Sequence, residues 1–318
     1  MMIKSLLLSI MIVITSSAGE FVPALEIEAK SIVKDIMIEG NNLYISTDKG
    51  TVQVYDMNTN TFTKEITLPK IKDFMGDMIL PKVFSVDFIG GRFMLLSDSG
   101  KGGYANLWIH EKNETTLLMN HEVKRAVIKA KFVDKEHVLF GYLGNEAGLF
   151  DIKAKKEIYR VQLNPSKFSD FALNEDRTRA VYSCESGILN IIDTKNGKVV
   201  KVLEGINRDN VYKVDYKQGM ISGAGQDRRG SLYDEQSGKG SFLEGKFLIY
   251  ATGLSPSGKK VAFAMDENND ISIYNIGTKA LIARLKGQKS TLNTIIFIDE
   301  ETLVSSSDDN VVMMWKLK

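Results

Sequence analysis

Seven aromatic or large apolar anchors recur along the chain: Tyr55, Trp108, Phe150, Ile192, Tyr233, Tyr274 and Trp315. From Trp108 onward they are 42, 42, 41, 41 and 41 residues apart, and only the first interval is longer, at 53. Asp56, Asp151, Asp193, Asp234 and Asn275 follow their anchors directly. Each anchor closes the same pattern: apolar alternation, a turn, a strand of small residues, an acidic or glycine turn, then alternation again. The last copy is the clearest, running from Thr294–Ile298 through Thr302–Ser307 and the turn Asp308-Asp309-Asn310 to Val311–Trp315. A period of about 40–45 residues with four short strands per unit marks a β-propeller blade. A lone four-stranded sheet leaves two edges and two faces uncovered. Packing such sheets around an axis covers the faces, and closing the ring removes the end interfaces. The spacing therefore predicts an all-β, seven-bladed β-propeller.

The two ends of the chain complete each other. The seventh unit reaches Lys318 just after its third strand. Near the other end, Ala24-Leu25-Glu26-Ile27-Glu28-Ala29 alternates apolar and acidic residues without belonging to a unit. We expect it to supply the outer strand of the last blade, making residues 19–318 one domain. Residues 1–18 differ from the rest: Lys4, the apolar run Leu6–Ile14 broken by Ser9, then Thr15-Ser16-Ser17-Ala18. This reads as a cleavable signal peptide with cleavage after Ala18. Its apolar stretch is about 10 residues, against roughly 20 for a spanning helix. The expected location is the periplasm, with no membrane attachment after cleavage.

Composition removes several function classes. With 41 basic and 40 acidic residues, no charge excess exists to hold nucleic acid. A single Cys, Cys184, excludes a disulfide scaffold and multi-Cys metal sites; its apolar surroundings read as a buried strand. Cys-x-x-Cys-His, P-loop, Gly-x-Gly-x-x-Gly, His-Glu-x-x-His and Gly-x-Ser-x-Gly motifs are all missing. His110, His121 and His137 occupy different positions in the second and third units, so no shared metal site is expected. The acidic turns at 266–270 and 308–310 read as tight turns rather than calcium loops. No cofactor, metal or catalytic residue is assigned.

The segment Ser305-Ser306-Ser307-Asp308-Asp309-Asn310-Val311-Val312-Met313-Met314-Trp315-Lys316 resembles the WD40 repeat consensus. In that family an Asp in the tight turn and a Trp ending the third strand help form a buried hydrogen-bond network. The resemblance implies structural roles for Asp309 and Trp315. It implies the same for His121, whose Asn120-His121 pair is similar to a weakened Gly-His dipeptide. The signal peptide, seven degenerate WD40-like units, closing strand and Lys/Ile-rich composition together resemble a narrower group. That group is the L-type accessory proteins (NapL) of the periplasmic nitrate reductase system. The resemblance implies a non-enzymatic role in nitrate respiration through protein contact, with periplasmic nitrate reductase components as partners. The alternative is a propeller enzyme of lactonase or quinoprotein type, with a metal or cofactor in its channel.

Insertions point to where contacts form, because loops carry function while strands carry packing. The long first interval places one at Pro69–Lys82, with Phe74, Met75, Met78 and Ile79. The turn Ser97–Asn106, with Lys101 and Tyr104, is also long and belongs on the same face. The turn Gln226–Gly230 adds Arg228 and Arg229. The candidate partner-binding residues are therefore Phe74, Met75, Met78, Lys101, Tyr104, Arg228 and Arg229. The competing reading is that the insertion folds back and plugs the channel mouth. Finally, Glu111-Lys112-Asn113-Glu114-Thr115 resembles the extended acceptor sequon of bacterial N-glycosylation, with Asn113 as acceptor.

Overall fold

A computed structural model describes residues 18–318. The proposed leader, residues 1–17 of it, lies outside the described residues. The chain builds seven antiparallel sheets in a propeller. Blade 1 runs from an inner strand, Val33–Glu39, through Asn42–Thr47 and Thr51–Asp56 to an outer strand, Thr61–Thr67. Blades 2 to 5 repeat that order. Their inner and outer strands are Val83–Ile89 and Glu114–Met119, Val127–Phe132 and Lys156–Gln162, Phe168–Leu173 and Val199–Leu203, and Val211–Lys217 and Gly240–Glu244. Blade 6 runs from Ala251–Leu254 to Leu281–Leu285, and blade 7 starts at Leu292–Phe297.

Blade 7 takes its outer strand from the front of the chain, as the alternation predicts. Leu25–Glu28 pairs antiparallel with Val311–Lys316, Ile27 lying opposite Val312. A second clasp was not legible beforehand. Gly19–Phe21 adds in parallel to the outer strand of blade 6, and Glu20 pairs with Lys286 at 2.7 Å. The N-terminal segment thus bridges blades 6 and 7.

Each of seven apolar clusters lies between two neighbouring blades. The cluster of Ile27, Val304 and Val312 with Ile36, Leu43 and Ile45 joins blade 7 to blade 1 and closes the ring. This is how about 300 residues stack into one body without one oversized core. Small residues occupy the second strands, where Ser46, Ser97, Ser183, Ser222 and Ser305 are buried. Six inner strands carry a β-bulge near their start, for example between Val33 and Asp35 and between Phe168 and Asp170. An extra residue there bends the strand and re-aims the side chains that follow. Connections between blades, together with turns between second and third strands, form the upper face; the remaining turns form the lower face.

Candidate functional site

The long first interval is a hairpin of its own. Ile71–Lys72 pairs with Met78–Ile79, joined by Asp73-Phe74-Met75-Gly76-Asp77. Asp73 organises the turn: its carbonyl accepts from Gly76 N and its Oδ1 from Asp77 N at 2.9 Å. Gly76 holds φ +96, where a side chain is disfavoured. Phe74 and Met75 therefore occupy the tip, 93% and 80% exposed, with Met78 and Ile79 exposed on the stem. The tip stands in solvent.

The hairpin's base is held on the upper face from two sides. Gly50, in the second turn of blade 1, lies against Leu80 and Pro81. Gly100, in the long turn of blade 2, has φ +72 and packs so closely on the Lys72 carbonyl that a Cβ would overlap it. That contact places the two blade 2 loops side by side. Lys101 is exposed beside Gly100, while Tyr104 is half-buried and its ring covers Gly102. Arg228 is exposed with φ +64 in the corresponding turn of blade 5, three blades away. Arg229 is engaged internally: it donates to the Ile206 carbonyl at 2.6 Å and lies over the Phe242 ring. The hairpin, Lys101 and Tyr104 thus lie together on one surface patch, and the two arginines lie outside it.

The structural residues fall in different settings. Trp315 is fully buried and donates from Nε1 to Ser305 Oγ at 2.9 Å. Ser305 donates to Gln288 Oε1, and Gln288 Nε2 donates to Ser307 Oγ. Asp309 shapes its own turn, Oδ1 accepting from Val311 N, while its carbonyl accepts from Val33 N of blade 1. His121 opens the short 3-10 turn His121–Val123. His110 is buried edge-on against Phe93, and His137 bonds Asp134. Among the described residues, no group of three or more His, Cys, Asp or Glu is placed to hold a metal ion.

The sequence reading missed the charge belt in the central channel. A cavity of about 600 Å³ opens toward the lower face there, lined by inner-strand residues of all seven blades. Asp35 Oδ2 accepts from Val86 N of the next blade and from Lys131 Nζ at 2.8 Å. Asp87 Oδ2 accepts from Phe132 N and is paired with Arg177, which also donates to the Phe132 carbonyl. Asp170 Oδ2 accepts from Val214 N, and its Oδ1 from Lys129 Nζ at 2.7 Å. Asp215 Oδ2 accepts from Leu254 N at 2.7 Å. Each carboxylate latches one blade to a later neighbour. Burial pushes the Asp35 carboxyl up, but Lys131 and Lys129 outweigh it and hold the group below its ordinary range. Burial likewise disfavours the Lys129 ammonium, and Asp170 and Asp35 reverse that, leaving it raised. The signal lay in single Asp residues inside apolar runs: Val33-Lys34-Asp35-Ile36, Val86-Asp87-Phe88, Phe168-Ser169-Asp170-Phe171 and Val214-Asp215-Tyr216.

Comparison with protein-family models and with curated proteins gave no match to this chain.

Proposed function

We propose that this chain is a non-enzymatic, exported propeller that docks a protein partner through the blade 2 hairpin. One observation carries the reading: a turn built from Asp73 and Gly76 displays Phe74 and Met75 almost wholly to water. Burying a large apolar side chain contributes about 1.5–3 kcal/mol. Two at the tip of a fixed hairpin supply the anchor of a binding hot spot. Lys70, Lys72, Lys82 and Lys101 are exposed around it, which suits a partner pocket rimmed by carboxylates. The resemblance to NapL proteins supports the finer reading: a periplasmic accessory factor for nitrate reductase maturation or function. The enzyme alternative would use the channel, where Asp35, Asp87 and Asp170 are already engaged by a neighbour's N–H and a cation; this favours the binding reading.

Affinity capture from nitrate-respiring cells tests both levels. Wild-type protein should retain nitrate reductase subunits, and the F74S/M75S variant should lose them by about 100-fold or more. Retention by the variant would remove the hairpin from the account. Capture of other proteins only would remove the nitrate reductase assignment.

A further inference from the structure

The acceptor motif at Asn113 has no place in the docking surface, and its surroundings in the fold are informative. Strands Ala105–Glu111 and Glu114–Met119 of blade 2 are joined by just Lys112 and Asn113, at φ +50 and +66. Two successive left-handed residues make a type I′ hairpin turn, for which Asn is well suited. Both side chains are exposed, on the lower face and away from the upper-face hairpin. Asn113 Oδ1 receives only a long contact from Lys64 Nζ at 3.4 Å, and its Nδ2 donates to no protein atom among the described residues. The motif's other two determinants are occupied. Glu111 Oε2 accepts from Arg92 Nε at 3.2 Å and Nη2 at 2.9 Å. The Thr115 hydroxyl is hydrogen-bonded to His110 Nδ1 at 2.8 Å, and that ring is buried against Phe93.

We propose that Asn113 is an N-glycan acceptor, modified before blade 2 closes. The donor is a polyprenyl-pyrophosphate-linked oligosaccharide presented by a membrane oligosaccharyltransferase. In the transfer, the Asn113 Nδ2–C1 bond to the sugar forms as the C1–O bond to pyrophosphate breaks. The amide gives up one proton, and polyprenyl pyrophosphate leaves with the bonding pair. An enzyme that must grip the acid two residues before Asn113 and the hydroxyl two residues after it meets both freely only in the unfolded chain. In the closed hairpin, Arg92 and His110 hold them. The turn then leaves the finished glycan in solvent on the lower rim, where it does not cover Phe74 or Met75.

The inference rests on export, so the test supplies export independently. Residues 19–318 are placed behind a proven secretory leader in cells carrying an extended-sequon oligosaccharyltransferase, and the purified product is weighed intact. The expected result is the mature mass plus one oligosaccharide, absent in N113Q, E111Q and T115A and retained in T115S. Unmodified mature protein overturns the proposal whatever the native leader does. A second arm offers the enzyme and lipid-linked donor to purified folded protein and to a synthetic peptide of residues 108–118. The peptide should be glycosylated at least tenfold faster; equal rates would overturn modification before folding. Failure of the native residues 1–18 to direct export would instead show as uncleaved leader mass in the native strain, a separate readout.

Discussion

Asp170 offers the sharpest test of how the ring holds together. Its side chain is 2% exposed and touches three blades at once. It lies on blade 4, takes Lys129 Nζ of blade 3 at 2.7 Å, and accepts Val214 N of blade 5 at 3.1 Å. Lys213 Nζ, also from blade 5, stands 4.0 Å away. D170N keeps the shape and an oxygen for Val214 N but removes the charge. Lys129 and Lys213 would then be left without their shared counter-ion. Breaking a buried pair by neutralising one partner costs about 3–5 kcal/mol. Because Lys213 retains partial access to water, we expect about 3 kcal/mol, a fall in Tm of about 5 °C for a domain of about 300 residues. K129M should be similarly harmful. The double variant D170N/K129M leaves no buried charge unpaired at that position and should be at least as stable as either single variant. Urea unfolding followed by tyrosine and tryptophan fluorescence measures all four proteins. A D170N protein within about 0.5 kcal/mol of wild type, the ordinary range for an uncritical surface change, would refute the latch. So would single-variant losses that simply add in the double variant.

Three further outcomes follow from named contacts. Ile27→Ser, in the closing strand, removes a buried side chain and should cost about 3 kcal/mol, with protease cleavage appearing first within residues 19–30. Gly100→Ala puts a Cβ against the Lys72 carbonyl at φ +72; it should cost about 1–2 kcal/mol and speed amide exchange across residues 71–79 while the remaining blades stay protected. Burial, then Lys64, holds the His110 imidazolium below its ordinary 6.5. The fold therefore favours the neutral ring, and the associated stability is present above pH 6.5 and lost as pH falls below it. Melting curves from pH 7.5 down to 5 should show a decline that is absent in H110F.

The architecture was legible because its signals are local. Anchor spacing, turn residues and the alternation Leu25-Glu26-Ile27-Glu28 each depend on a few neighbouring positions, and together they fix seven blades and the closing strand. The extended first interval likewise marked the hairpin, since one blade cannot absorb the surplus residues. What stayed hidden depends on distant partners. Asp35 and Val86 are 51 residues apart, so no local pattern could pair them. Gly19–Phe21 is three residues with no alternation and becomes a strand only because blade 6 presents an edge. The exposure of Phe74 depends on how Gly50 and Gly100, distant in sequence, brace the hairpin base. Arg229, a candidate partner contact by its place in the turn, is instead drawn in by the Ile206 carbonyl and the Phe242 ring.

Site-specific photo-crosslinking in living cells decides whether the hairpin tip meets a partner. A benzophenone amino acid is placed at position 74 or 75, and, as a control, at the exposed Ile158 on the outer strand of blade 3. Positions 74 and 75 should each give one discrete protein adduct, and position 158 none. Adducts at 158 with none at 74 or 75 would contradict docking through the hairpin.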